Sequence, residues 1–489
     1  MERAPTTRRS ALATFIVTSL ALFMVSLDNL VVTTALPVIK AELGATLAQL
    51  EWTVNAYTLT FAVLLLTGAA LGDRFGRRRL FGMGVALFTA GSAAAALAPN
   101  GDVLVLARAS QGVGAAIVMP LTLTLLSAAV PAERRGLALG AWGAISGLAI
   151  ALGPLVGGAI VEGLSWQWIF WLNVPLGIIL VPLSRVLLTE SRGPDRSLDL
   201  PGVGLASAGL FALVWALVHG NAEGWTTTGI LGALVAAGLL LSAFVAWEAR
   251  AASPMLPLRF FRSRTFSVAN VVSFLMSFGV FGSIFLLAQF FQIVQGYTPF
   301  EAGVRTLPWT AMPIVVAPVA GAFSDRIGSR PLLIVGMLLM SVGLAWVAVI
   351  ASPTFEYLAL VPGFILSGTG MALYFAPTAN LVLSAVRPVE EGRASGANNA
   401  IREVGGVFGV AVLASIFSAN GGYASAQAFV DGMVPAVWIG AAVVAFAGLA
   451  AAWLPGRVRS ATAGRTSVAA GAVPMRQLVA EPVAVVADA

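Results

Sequence analysis

Cysteine is absent from this 489-residue sequence, which excludes disulfides, iron–sulfur clusters and thiolate metal sites. Its one histidine, His219, stands beside Gly220 and Asn221 in a stretch read as an outer loop, so a histidine-based metal site is excluded as well. Lysine is as scarce, with Lys40 alone, and it follows Ile39. A P-loop needs a Gly-Lys pair to cradle nucleotide phosphates, so ATP hydrolysis by that route is ruled out. No Gly-x-Ser-x-Gly nucleophile elbow occurs either. Nothing here reads as an enzyme or calls for a cofactor, and any work must draw on an ion gradient or on the solute's own gradient.

Charge is sparse too. Only 10% of residues are charged and 58% are hydrophobic, against about 25% and about half in a soluble protein. Apolar runs long enough to cross ~30 Å of hydrocarbon recur from end to end. They number fourteen, among them Leu12–Leu36, Trp52–Leu71, Val304–Phe323 and Val434–Leu454. The fold class is therefore an all-α membrane protein with 14 transmembrane helices. The first run follows Arg8-Arg9, yet it is too long for a signal peptide and carries Asp28, so it reads as an uncleaved helix.

With the N-terminus in the cytoplasm, 24 of the 28 basic residues fall on the inner side. The net charge of +6 is then a topology signal under the positive-inside rule, not a nucleic-acid surface. Both termini are expected in the cytoplasm.

An internal repeat divides the chain. Gly72-Asp73-Arg74-Phe75-Gly76-Arg77-Arg78 is echoed by Ser324-Asp325-Arg326-Ile327-Gly328-Ser329-Arg330, offset by 252 (325 minus 73). Gly136 to Gly140 is echoed by Gly392 to Gly396, and Met119-Pro120 by Ala376-Pro377. The expected organisation is a cytoplasmic N-terminus (1–11), a six-helix half (12–188), a linker with two helices (189–265), a second six-helix half (266–454) and a disordered cytoplasmic tail (455–489). Parallel repeats of this kind place a substrate site between the halves near the membrane midplane.

Ionisable groups inside hydrocarbon are costly and are functional candidates by default. Asp28 and Arg108 lie ~12 Å and ~8 Å from the outer end of their spans at 1.5 Å per residue, so the two can face one cavity. A buried carboxylate can take up and release a proton, and a nearby arginine opposes the uptake. The alternative is a static ion pair that fixes two helices. Arg402 and Glu403 sit together on the thirteenth span, where Gly405, Gly406 and Gly409 also permit close helix packing. Polar and aromatic groups that can line a cavity are Asn55, Tyr57, Gln289, Gln292, Trp309, Tyr374, Asn380, Asn398 and Asn399. Each can equally bond between helices. The loop at Asp73, Arg74, Gly76, Arg77 and Arg78 reads as a conformational latch or as topology marking, and its partial copy at Asp325 and Arg326 favours the latch.

These stretches resemble the major facilitator superfamily, and within it the fourteen-span drug:proton antiporters. Leu27-Asp28-Asn29-Leu30-Val31-Val32-Thr33-Thr34-Ala35-Leu36-Pro37 is similar to that family's first-helix signature, and Asp73 to Arg78 to the superfamily's cytoplasmic gating motif. In the latter the usual leading Gly is Ala69. Arg108-Ala109-Ser110-Gln111-Gly112-Val113-Gly114 resembles the fourth-helix motif whose arginine is tied to proton coupling. Gly153-Pro154-Leu155-Val156-Gly157-Gly158 resembles the fifth-helix motif of antiporters, with Ala149 where a Gly is usual. Trp166 to Phe170, Asn173-Val174-Pro175 and Asn399 to Gly406 fit the fourteen-span family.

The resemblance implies proton-coupled efflux of small organic molecules, drugs or antibiotics among them, by a monomer in a bacterial cytoplasmic membrane. Asp28, Arg108, Arg402 and Glu403 would handle protons, the coupling ion; Gly153, Pro154, Gly157 and Gly158 would limit leakage. The alternatives are a proton-coupled nutrient importer and a non-transporting membrane sensor.

Overall fold

The computed structural model describes residues 8–130, 135–192, 199–387 and 390–455. In hydrocarbon every backbone N–H and C=O must be paired within its own segment, so long apolar runs become helices. The chain folds as α1 (Arg8–Leu43), α2 (Leu47–Phe75), α3 (Arg77–Ala96), α4 (Gly101–Ala129), α5 (Arg135–Gly163), α6 (Trp168–Trp171), α7 (Asn173–Leu187) and α8 (Leu200–Glu223). It continues with α9 (Thr228–Glu248), α10 (Arg264–Gln289), α11 (Pro299–Thr310), α12 (Met312–Ile327), α13 (Ser329–Ile350), α14 (Tyr357–Ser384), α15 (Glu391–Asn420) and α16 (Ala426–Ala451). No strand occurs among the described residues.

The short turns carry local caps. Thr46 and Gln49 form a capping box at the start of α2, as Thr298 and Glu301 do for α11. Asn100 and Ser425 accept from the N–H of Val103 and Ala428 at 3.0 and 3.1 Å.

Among the described residues twelve helices are long and apolar enough to cross a membrane, rather than fourteen. Two of the expected spans account for the difference. α5 runs from Arg135 to Gly163, and the apolar stretch counted in it covers only Leu152–Gly163, where its side chains are described. The run expected at Val304–Phe323 is two helices, α11 and α12, broken at Ala311. Pro308 inside α11 removes one backbone donor, and Pro313 sits in the first turn of α12, where its missing N–H costs nothing. His219 also differs from expectation. It lies in the last turns of α8, not in a loop, with Nδ1 3.0 Å from the Trp215 carbonyl and its ring stacked on that indole.

The packing of the early helices recurs in the late ones. α1 packs on α5 as α10 packs on α15, α3 on α4 as α13 on α14, and α3 on α7 as α13 on α16. Between the two sets, α2 lies along α15, α5 along α11 and α1 along α10, while α8 covers the α2–α15 seam and α9 packs on α8.

Candidate buried charge network

Five helices, α1, α2, α3, α4 and α7, contribute to the network around Asp28. Asp28 is 2% exposed and Arg108 1%, and Arg108 Nη1 is ion-paired to Asp28 Oδ2. Asp28 Oδ1 also accepts from Asn173 Nδ2 on α7 at 2.7 Å and from Gln111 Nε2 on α4 at 3.1 Å. Arg108 donates to Gln111 Oε1 at 3.0 Å and, across to α2, to the Thr53 carbonyl at 3.1 Å. Its guanidinium covers the Tyr57 ring at 4.3 Å, and Tyr57 in turn donates to the Val25 carbonyl at 3.2 Å. Ser92 on α3 accepts from Gln111 and Asn173. α1 continues past the expected Leu36 to Leu43, so Asp28 lies fifteen residues from its end (43 minus 28), or ~22 Å. Breaking such a pair leaves an uncompensated buried charge.

Glu403 is held differently. Oε1 takes Arg402 Nη2 at 2.9 Å, while Oε2 is buried with no protein hydrogen-bond partner. Near the inner end of the α2–α15 seam, Gly396 stands against Leu66. Seven residues along each antiparallel helix, Glu403 falls level with Leu59, one turn from Asn55 and Tyr57. Asn55 is wholly buried, and both its amide oxygen and nitrogen lack protein partners. A buried polar group left unpaired costs ~1–3 kcal/mol. Two on one seam are more than helix packing requires.

The other expected cavity residues scatter. Tyr374, Asn398, Ser273 and Asn270 bond one another inside the late helices, with Tyr374 Oη to Ser273 Oγ at 2.7 Å and Asn398 Nδ2 to Ser273 Oγ at 2.8 Å. Gln289 accepts from the Tyr423 hydroxyl, and Gln292 donates to the Thr34 carbonyl of α1 at 2.8 Å. Trp309 is 3% exposed with its indole N–H unpaired and its ring against Phe364. Asn399 is half-buried, and Asn380 is exposed.

Asp73 pairs with Arg77 at 2.8 Å, within its own loop. Gly76 breaks α2 from α3 at φ 109°, a conformation only glycine adopts readily, and an added Cβ would stand 2.9 Å from the Glu190 carboxyl carbon. Glu190, beyond α7, accepts from the Arg78 and Arg79 N–H groups at 3.0 and 3.3 Å and so caps α3 from 112 residues away. Arg78 lies 3.7 Å from it, and Arg74 covers Phe75. Glu190→Gln is expected to cost ~1 kcal/mol, read as a lower melting temperature in detergent; an unchanged melting temperature would show that this cap does not hold the loop. The side chains of Asp325 and Arg326 lie outside the described residues.

At the end that the arginine distribution assigns to the outside, the two sets of helices touch closely. A Cβ on Gly158 would collide with the backbone of Pro299 and Phe300, and one on Gly157 with Thr34 and Val31. Gly153 faces Leu30, and the Pro154 carbonyl faces Gly303. Glu162 accepts from the Phe300 N–H at 3.1 Å, and Lys40 Nζ lies 2.8 Å above the Tyr423 ring.

Several participants escaped the sequence reading. Gln111 and Asn173 stand in the quoted motifs but had no role there. Glu51 was placed outside because the second span was begun at Trp52. The helix starts at Leu47, and Glu51 is 2% exposed with Oε2 unpaired.

An all-helical bundle that buries a charge network between its spans is an integral membrane protein built to move something through itself. The chain belongs to the Major Facilitator Superfamily, whose sequence model matches residues 18–410 and again 271–487. The tetracenomycin C resistance and export protein of Streptomyces glaucescens is 35% identical over 426 residues, covering 87% of this chain and 79% of that one. The multidrug resistance protein Stp of Mycobacterium tuberculosis is 37% identical over 413 residues, 84% and 76%. The xylose transporter XylE from E. coli, in an inward open conformation, shares the fold with a TM-score of 0.62 at 13% identity, covering 94% of this chain and 99% of that one.

Proposed function

We propose that this protein exports small organic molecules, drugs or antibiotics among them, across a bacterial cytoplasmic membrane in exchange for protons. The observation that carries the reading is the buried Asp28–Arg108 pair, with an unsatisfied Glu403 carboxylate oxygen on the facing seam. Relatives named for antibiotic export and multidrug resistance supply the direction and the substrate class. Each proton moved inward contributes ~2.3 kcal/mol per 100 mV, enough for about a fifty-fold gradient of a neutral solute.

In this reading α5 and the α11–α12 pair complete fourteen crossings, with α8 and α9 as the linker pair and both termini in the cytoplasm. The recurring helix packing supports two six-helix halves that rock about a central site in a single monomer. Arg108 governs when Asp28 holds a proton, and Glu403 with Arg402 is the second coupling group. Asn55, Tyr57 and Trp309 face the substrate. The Asp73 loop, held here to α7 in its own half, exchanges partners when the inner side closes, with Asp325 and Arg326 as its counterpart.

In this reading the contacts of Gly158, Glu162, Gln292 and Lys40 close the outer side. The absence of native cysteine allows a direct test. In Lys40→Cys/Tyr423→Cys a short bis-maleimide is expected to cross-link the protein and block transport. Efficient cross-linking with full transport would show that this contact need not open.

A further inference from the structure

A second charged cluster lies at the inner end of the linker helices, away from the transport site. A cavity of about 530 Å3 sits where α9 ends and α10 and α15 begin, lined among others by Pro254, Pro257, Leu258, Arg259, Arg262 and Arg393. Its size falls within the ~300–1,000 Å3 of small-molecule sites.

The wall of this cavity is fixed by hydrogen bonds. Asp199 caps α8 by accepting from the Gly202 N–H at 2.9 Å, and it also accepts from the Trp247 indole at 2.7 Å and the Met255 N–H at 3.2 Å. Burial works to raise the Asp199 carboxyl, but the bonds it accepts outweigh that and hold the group below its ordinary value. Glu248, 3% exposed, accepts from the Leu256 N–H at 3.0 Å. The two acids therefore pin the segment from Trp247 to Leu256 against α8.

The opposite side is basic. Arg259 and Arg387 share one carboxylate, Glu390, which Arg387 first and then Arg259 hold down to about 2. Arg262 is exposed and forms no ion pair among the described residues. Glu248 also lines the cavity, and burial raises its carboxyl to about 7, so against three lining arginines it is partly neutral at physiological pH. The neighbouring helix presents an apolar face. α9 exposes Leu231, Val235, Leu239 and Val245 along its length and carries Trp247, a residue suited to the membrane interface, in its last turn. The cavity lies one turn beyond Trp247, at the depth of inner-leaflet headgroups, with prolines and Leu258 beside its arginines.

We infer that this cavity holds the phosphodiester headgroup of an anionic phospholipid from the inner leaflet, with Arg262 and Arg393 on the phosphate and the apolar wall against the glycerol. Basic pockets between helices on the cytoplasmic side are suited to such headgroups. A bound lipid there would tie the linker pair to the start of α15.

The test is native mass spectrometry and thermal unfolding of the full chain in detergent, titrated with phosphatidylglycerol, with phosphatidylcholine and with inorganic phosphate alone. Wild type is expected to retain phosphatidylglycerol and to melt higher with it, while phosphatidylcholine and phosphate do little. Each juxtamembrane arginine is worth about fivefold in affinity, so Arg262→Gln/Arg393→Gln should weaken phosphatidylglycerol about thirtyfold. Arg262→Gln alone, a change at an exposed side chain, should weaken it about fivefold, and Arg262→Lys should restore it. Equal retention of both lipids, or unchanged retention in the variants, would overturn the inference. Stabilisation by phosphate alone, with no further gain from phosphatidylglycerol, would reassign the cavity to a free anion and likewise overturn it.

Discussion

Asp28→Asn is expected to destabilise the folded protein by ~3–5 kcal/mol and to abolish proton-coupled transport. The size follows from what remains: Arg108 is 1% exposed, and without Asp28 its charge is buried with only neutral acceptors, the Gln111 side chain and the Thr53 carbonyl. That penalty belongs to the orphaned charge rather than to the aspartate itself. Asp28→Asn/Arg108→Gln should therefore recover most of the lost thermal stability. Transport should not return, because neither the carboxylate nor its partner is there to exchange a proton. Melting temperature and substrate efflux, measured on both variants, separate the two roles. If the double variant recovers both, the pair is a structural tie between α1 and α4 and the coupling lies elsewhere.

Gly158→Val is the second large effect, and it acts through shape. The added carbons have no room between α5 and the Pro299–Phe300 backbone, and that backbone cannot rotate away as a side chain can. The outer contact would be forced apart. Efflux should fall by more than tenfold while the protein is still made and inserted, and cysteines introduced in α11 should become reactive from outside. Normal efflux in Gly158→Val would show that the two helices need not close on each other.

Much of this was legible in the sequence because membranes allow few solutions. The apolar runs set the helices, and an arginine and an aspartate in them had to find each other or water. What the sequence concealed was set by distance and by local chemistry. Ser92 and Asn173 complete the Asp28 network from helices that only the fold brings together. Glu190 caps a helix more than a hundred positions earlier, a link with no local signal. Glu51 was missed because hydropathy ends a span where polar residues begin, whereas a helix capped by Thr46 starts a turn earlier. Pro308 and Pro313 were visible, but a hydropathy window averages over them and so concealed the break at Ala311. His219 looked like a loop residue because of Gly220 and Asn221. In fact both lie inside α8, which runs on to Glu223, and Asn221 bonds Ser415 on α15.

The central claim, that proton movement and export both depend on the buried Asp28 carboxylate, is tested most directly by proton flux in inside-out vesicles holding a preformed pH gradient. Lipophilic cations and antibiotics would be added to vesicles carrying wild type, Asp28→Asn or Glu403→Gln. The account predicts that some compounds collapse the gradient in wild type and that none does so in Asp28→Asn. A gradient that collapses equally in Asp28→Asn would contradict it.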